Sequence, residues 1–90
     1  MRVRAHIFVY GRVQGVFFRY GTYRLARNLG VIGWVRNLPD GGVEAVIQGQ
    51  DDSIEQMIEL LQEGPGASIV TDLKIEEIEQ EEFSGFTMRF

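Results

Sequence analysis

The stretch Gly11-Arg12-Val13-Gln14-Gly15-Val16-Phe17-Phe18-Arg19 gathers the residue types that hold an oxyanion. Two glycines separate a strand-like run from a helix-like run, and an arginine falls in the first helical turn. Glycine reaches positive φ without steric penalty, so the backbone can turn its N–H groups toward one point. A helix N-terminus contributes unpaired N–H donors and a partial positive charge. The guanidinium adds a planar fork of donors matched to phosphate oxygens. Glycine pairs also punctuate ordinary tight connections. Arg19 is what distinguishes this one, because an acid is the electrostatically preferred residue in that turn and a cation belongs there when an anion sits beside it.

The loop lacks the lysine and hydroxyl residue that a nucleoside triphosphate loop carries after its second glycine, since Val16-Phe17 follow Gly15. It also lacks the third glycine and the acidic ribose ligand of a dinucleotide site. The cradle is therefore expected to hold one phosphate group, without metal or cofactor. Candidate acids, bases and nucleophiles are few. There is no cysteine and a single histidine, His6, placed mid-strand. That excludes disulfides, thiolate metal sites and a cysteine nucleophile, and argues against a histidine-rich metal site. Arg19 stays protonated, Asn37 does not titrate, and Asp40 sits in a turn where a bond to the local backbone is the default. Tyr20 and Tyr23 read as packing or surface residues of the helix. A site with no strong base suits a mixed carboxylic–phosphoric anhydride, whose carboxylate leaves without protonation. Positioning and charge stabilisation then supply most of the rate.

These residues must be positioned by the elements around them. Val3, Ala5, Ile7 and Val9 alternate with Arg4, His6, Phe8 and Tyr10, which predicts a strand over residues 2–10. Phe18, Thr22, Leu25, Ala26 and Leu29 recur at helical spacing, which predicts a helix from about Phe17 to Leu29, capped by Gly30. Val31–Asn37 and Val43–Gln48 read as a hairpin around Pro39-Asp40-Gly41-Gly42. Ser53-Ile54-Glu55-Gln56 fits a capping box before a helix whose apolar stripe is Ile54, Met57, Ile58 and Leu61. Ser68–Ile78 reads as a strand with Ile69, Thr71, Leu73 and Ile75 in phase. The glutamate-rich run 76–82 reads as a solvated rim, and Phe86, Met88 and Phe90 as a short last strand.

The order β-α-β-β-α-β with one strand appended predicts an α+β, ferredoxin-like sandwich. It is an antiparallel sheet with two helices on one face and a short C-terminal edge strand. Residues 1–90 read as one domain with one modest core, since 44% of them are hydrophobic. In this arrangement the first two strands run parallel with one strand between them, so Asn37 emerges on the same edge as the glycine loop. Strand alternation turns Arg36 to the opposite face, as a surface or ion-paired residue, and Trp34 reads as core or hairpin packing.

The motif Gly11–Arg19, followed by Gly33-Trp34-Val35-Arg36-Asn37 and Gly41-Gly42-Val43-Glu44, closely resembles the acylphosphatase family. The resemblance runs over nearly the whole chain, through Gly85-Phe86-Thr87-Met88-Arg89-Phe90. It implies hydrolysis of an acyl phosphate to carboxylate and inorganic phosphate, with phosphate as product and inhibitor. It implies Arg19 as the phosphate-binding arginine, Asn37 as the residue that orients water, and the backbone of Gln14, Gly15, Val16, Phe17 and Phe18 as the cradle. Family members often carry hydroxyl residues where this chain has Leu38 and Gly42, so a supporting hydrogen bond to Asn37 must come from elsewhere or be missing.

The same resemblance extends to the acylphosphatase-like domain of carbamoyl-transferring maturation proteins. The element order is also that of a common RNA-binding module, with Phe8 and Tyr10 on the first strand. Charge argues against nucleic acid. Residues 1–39 hold seven arginines and no acid, whereas residues 40–90 hold all thirteen acids against Lys74 and Arg89, leaving −4 overall. A cationic half around the glycine loop fits a small anion better than a polymer. No signal segment or long apolar run is evident, so a cytoplasmic, monomeric protein without membrane or nucleic-acid partners is expected.

Overall fold

Alternation builds the centre of the sheet. The computed structural model describes residues 2–79 and 85–89. Strand β1 (Arg2–Arg12) buries Ala5, Ile7 and Val9 completely or nearly so, while Arg4, His6, Phe8 and Tyr10 face the other way. It is followed by α1 (Phe18–Leu29), β2 (Ile32–Asn37), β3 (Val43–Gln50), α2 (Asp51–Glu63), β4 (Ile69–Ile78) and β5 (Phe86–Arg89). The sheet order is β4-β1-β3-β2-β5. β1 pairs antiparallel with β3 and β4, β2 pairs antiparallel with β3, and β5 joins β2 in parallel at the edge. This is the expected ferredoxin-like sandwich.

One face of the sheet carries the core. Ile7 lies opposite Ala45, which lies opposite Val35. Against this layer pack Phe18 and Ala26 of α1 and Ile54, Met57 and Leu61 of α2. Thr22 is fully buried within α1, and its hydroxyl is satisfied by donating to the Phe18 carbonyl at 2.9 Å.

Three details depart from the sequence expectation. The expected capping box does not form, because β3 runs into α2 without a loop. Gln50 is extended and provides no side-chain cap, and the helix starts at Asp51. Asp51 and Asp52 fill the first turn, where carboxylates complement the helix dipole. On β4 the expected phase is broken by a bulge. Tyr10 pairs with Asp72 and Gly11 with Val70, so Thr71 is an extra residue. Val70 and Leu73 therefore pack on the core, and Ile69 is left 57% exposed. Finally, Phe17 stands just before α1 rather than within it. Phe90 and residues 80–82 of the glutamate-rich rim lie outside the described residues.

On the open face, Glu44 is only 7% exposed and anchors a polar cluster across three strands. Its carboxylate accepts from His6 Nε2 at 2.6 Å and from Arg36 Nε. An ionised carboxylate only accepts, so the His6 proton facing it is on Nε2. Arg36 is thus the ion-paired residue that alternation implied. Trp34 packs on the hairpin's open face, with the Arg89 guanidinium 4.3 Å and that of Arg36 5.6 Å from its ring centre.

Burial pushes the Glu44 carboxyl up, but the hydrogen bonds and charges of His6 and Arg36 outweigh it and leave it below its ordinary 4.5. A depressed folded-state pKa stabilises the fold above the unfolded value and loses that contribution as pH falls through the folded one. Urea midpoints of the wild type should therefore decline on going from about pH 6 to about pH 3, with a shallower decline for Glu44→Gln. Equal slopes for the two proteins would remove Glu44 from the acid response.

Candidate active site

The site is assembled where β1 gives way to α1. Gly11 pairs across the bulge in β4, and residues 14–17 form the turn between β1 and α1. Gly15 (φ 73°) and Phe17 (φ 61°, ψ 28°) both occupy the left-handed region. Left-handed residues within a turn aim successive N–H groups into a common concavity that suits an anion. The first helical bond of α1 runs from Gly21 N–H to the Phe17 carbonyl at 2.9 Å. The N–H groups at the very start of the helix thus have no acceptor within it and face outward with the positive end of the dipole. No acid occupies that first turn.

Arg19 projects from the turn beside this concavity. Its Nη1 donates to the Arg89 carbonyl at 2.8 Å, which fixes the fork against the edge strand β5. Asn37 is the last residue of β2 and lines the same cleft, about 440 Å³ in volume, as Gly15, Phe17, Phe18 and Arg19. The parallel directions of β1 and β2 bring these groups to one edge, as the topology implied. A positive concavity, a guanidinium and a neutral amide around one small cleft are equipped to bind a phosphoryl group and a water molecule.

Comparison with known proteins agrees with this geometry. A family model described as Acylphosphatase matches residues 5–88. The chain belongs to the acylphosphatase family. A Thermococcus kodakarensis acylphosphatase is 53% identical over 85 residues, covering 94% of this chain and 93% of its own. One from Nostoc sp. is 52% identical over 87 residues, covering 97% and 86%. The solved structure of an acylphosphatase from Coxiella burnetii superposes with a TM-score of 0.94 at 43% identity, over 98% of this chain and 93% of that one. The protein is accordingly a hydrolase acting on acid anhydrides. Among the described residues no helix is long and apolar enough to cross a membrane.

In this acylphosphatase fold, Gln14 and Val16 belong to the loop but do not line the cleft. The Gln14 side chain turns away, and its amide nitrogen donates to the carbonyls of Leu38 and Gly42 at 2.7 and 2.8 Å. These are the two positions where family members often carry hydroxyl residues. The loop itself thus clamps the turn that follows Asn37. Sequence reasoning assigned Gln14 only a backbone role and missed this tie.

A second tie holds the turn from the other side. Asp40 Oδ1 accepts from Gly42 N–H at 3.0 Å, as its turn position implied, and Tyr10 donates to Asp40 Oδ2 at 3.3 Å. A Cβ at Gly42 would stand 2.6 Å from the Tyr10 ring, so Tyr10 occupies the space a larger residue would need. Extending the β1–β3 register one step beyond Val9 and Val43 places Tyr10 opposite Gly42. That spacing was the available signal in the sequence.

Gly42→Thr should therefore lower stability by about 1–3 kcal/mol through overpacking. In a Tyr10→Ala background the same change should cost distinctly less, read as a coupling energy from urea unfolding of the four proteins. Strict additivity would show that the two positions do not compete for space.

Proposed function

We propose that Arg19 and the 14–18 backbone hold the phosphoryl group of an acyl phosphate while Asn37 orients the water that attacks it. The observation that carries this reading is the convergence of Arg19, Gly15 and Asn37 on one cleft at the head of α1. The guanidinium and the loop N–H groups would lie against the phosphoryl oxygens, where negative charge is densest. The Asn37 amide would accept from, or donate to, water on the side away from the acyl oxygen. The water oxygen then forms the new bond to phosphorus as the bond to the acyl oxygen breaks. That bond's electron pair leaves on the carboxylate. One water proton passes to a non-bridging phosphoryl oxygen, so no protein base is needed.

This division of labour separates binding from turnover. Arg19→Ala should lower kcat/KM for acetyl phosphate by about 10²–10³-fold or more and weaken inhibition by inorganic phosphate together. Arg19→Lys should remain impaired, because a point charge does not reproduce the fork. Asn37→Ala should lose turnover comparably while inhibition by phosphate stays near the wild-type level. A fully active Asn37→Ala enzyme would rule out the water-orienting role.

The Gln14 clamp predicts an intermediate phenotype. Gln14→Met keeps the side-chain volume but cannot donate to Leu38 and Gly42, so kcat should fall about tenfold through misplacement of Asn37. The phosphate inhibition constant should change little. A loss confined to phosphate binding would instead place Gln14 in the cradle alone.

A further inference from the structure

The cleft is larger than a phosphoryl group requires, and its remaining wall is apolar. Beyond Gly15, Arg19 and Asn37, the described residues that line it are Val13, Phe17, Phe18, Tyr20 and Met88, and the Tyr20 hydroxyl is the one side-chain oxygen or nitrogen these five carry. Phe17 is 82% exposed and Tyr20 49% exposed, although both are large and aromatic. Both line the cleft where the turn enters α1, Phe17 as its left-handed N-cap residue and Tyr20 in its first turn. Phe17 is also the one non-glycine residue at positive φ among those described. That conformation is unfavourable for a bulky side chain, and persists only where the surroundings enforce it. Its effect is to hold an aromatic ring in solvent at the rim of the anion site.

From this we infer that Phe17 and Tyr20 form an acyl-binding shelf that selects substrates with an aromatic or bulky apolar acyl group. The inference rests on the phosphoryl group occupying the cradle as proposed above. With the phosphorus seated against Arg19, the acyl group must leave the cradle through the rest of the same cleft. An apolar acyl group there covers exposed ring surface and gains from its removal from water. A charged or strongly hydrated acyl group finds no side-chain partner on that wall beyond the Tyr20 hydroxyl. Continuity with the cradle is what identifies the occupant as the substrate's own acyl group and not a separate protein.

The test is the ratio of kcat/KM for benzoyl phosphate to that for acetyl phosphate in wild type, Phe17→Asn and Tyr20→Ala. Asparagine tolerates the left-handed region, so Phe17→Asn removes the ring while allowing the turn to keep its shape. Each variant should reduce the ratio by about 5–10-fold, mainly through KM for benzoyl phosphate. Both constants falling by one common factor, or neither falling, would overturn the shelf. A turnover-independent reading comes from titrating the protein with phenylphosphonate and methylphosphonate. The wild type should bind the phenyl compound more tightly, and Tyr20→Ala should narrow that gap. Equal affinities in the wild type would overturn the shelf even if turnover is seen. Tight, phenyl-selective binding without any hydrolysis would leave the shelf standing and sink the hydrolytic role of Asn37 instead.

Discussion

Two hydrogen bonds from one amide join the halves of this site. Gln14 lies in the loop after β1, and the carbonyls it grips belong to Leu38 and Gly42, after β2. Without such a link, a turn and a hairpin end would meet at the sheet edge with backbone pairing through β3 and the Tyr10–Asp40 bond to set their separation. The sheet topology brings them near, because β1 and β2 run parallel on either side of β3. The amide converts nearness into a defined spacing. Positioning of that kind is what a reaction without a strong base depends on, since misplacement by about an ångström can cost two orders of magnitude in rate.

The electrostatic logic is equally local. The division of charge along the chain could have reflected ion pairs across the fold, and in part it does, since Arg36 meets Glu44 on the open face. At the cleft, Arg19 Nη1 donates to the Arg89 carbonyl, a bond that sets the direction of the guanidinium. The positive end of the α1 dipole lies at the same edge of the sheet. On the reading proposed here, holding a phosphoryl group needs few residues, provided each is held still.

How much of this was legible in the sequence follows from how local each determinant is. Alternation from Val3 to Val9 and the spacing of Phe18, Thr22 and Ala26 are properties of single elements, and they gave the strands, helices and sheet order. The position of Asn37 followed from topology alone. Apart from Phe17, which takes a left-handed turn conformation before α1, the failures were matters of pairing. The extra residue Thr71 on β4 sits where the pairing with β1 shifts between Tyr10 and Gly11, which no periodicity in β4 encodes. The start of α2 depends on β3 running into it directly, so a good capping sequence went unused. The clamp by Gln14 required knowing that a polar side chain in one loop faces carbonyls 24 and 28 residues away. The tight fit of Tyr10 over Gly42 was readable only through strand register.

The bond from Arg19 to Arg89 spans 70 residues and depends on the edge strand β5 being docked beside β2. During synthesis the chain can form α1, the loop and even the β1–β3–β2 sheet before that strand exists. The guanidinium has this carbonyl to aim it only after the last strand has added to the edge. On the role proposed for Arg19, catalytic competence is completed at the end of folding, and a partly assembled chain with an exposed β2 edge would carry every motif of the site yet lack this bond. Closing contacts of such long sequence separation form late because loop-closure entropy must be overcome first. On that proposal, activity reports that the sheet is complete.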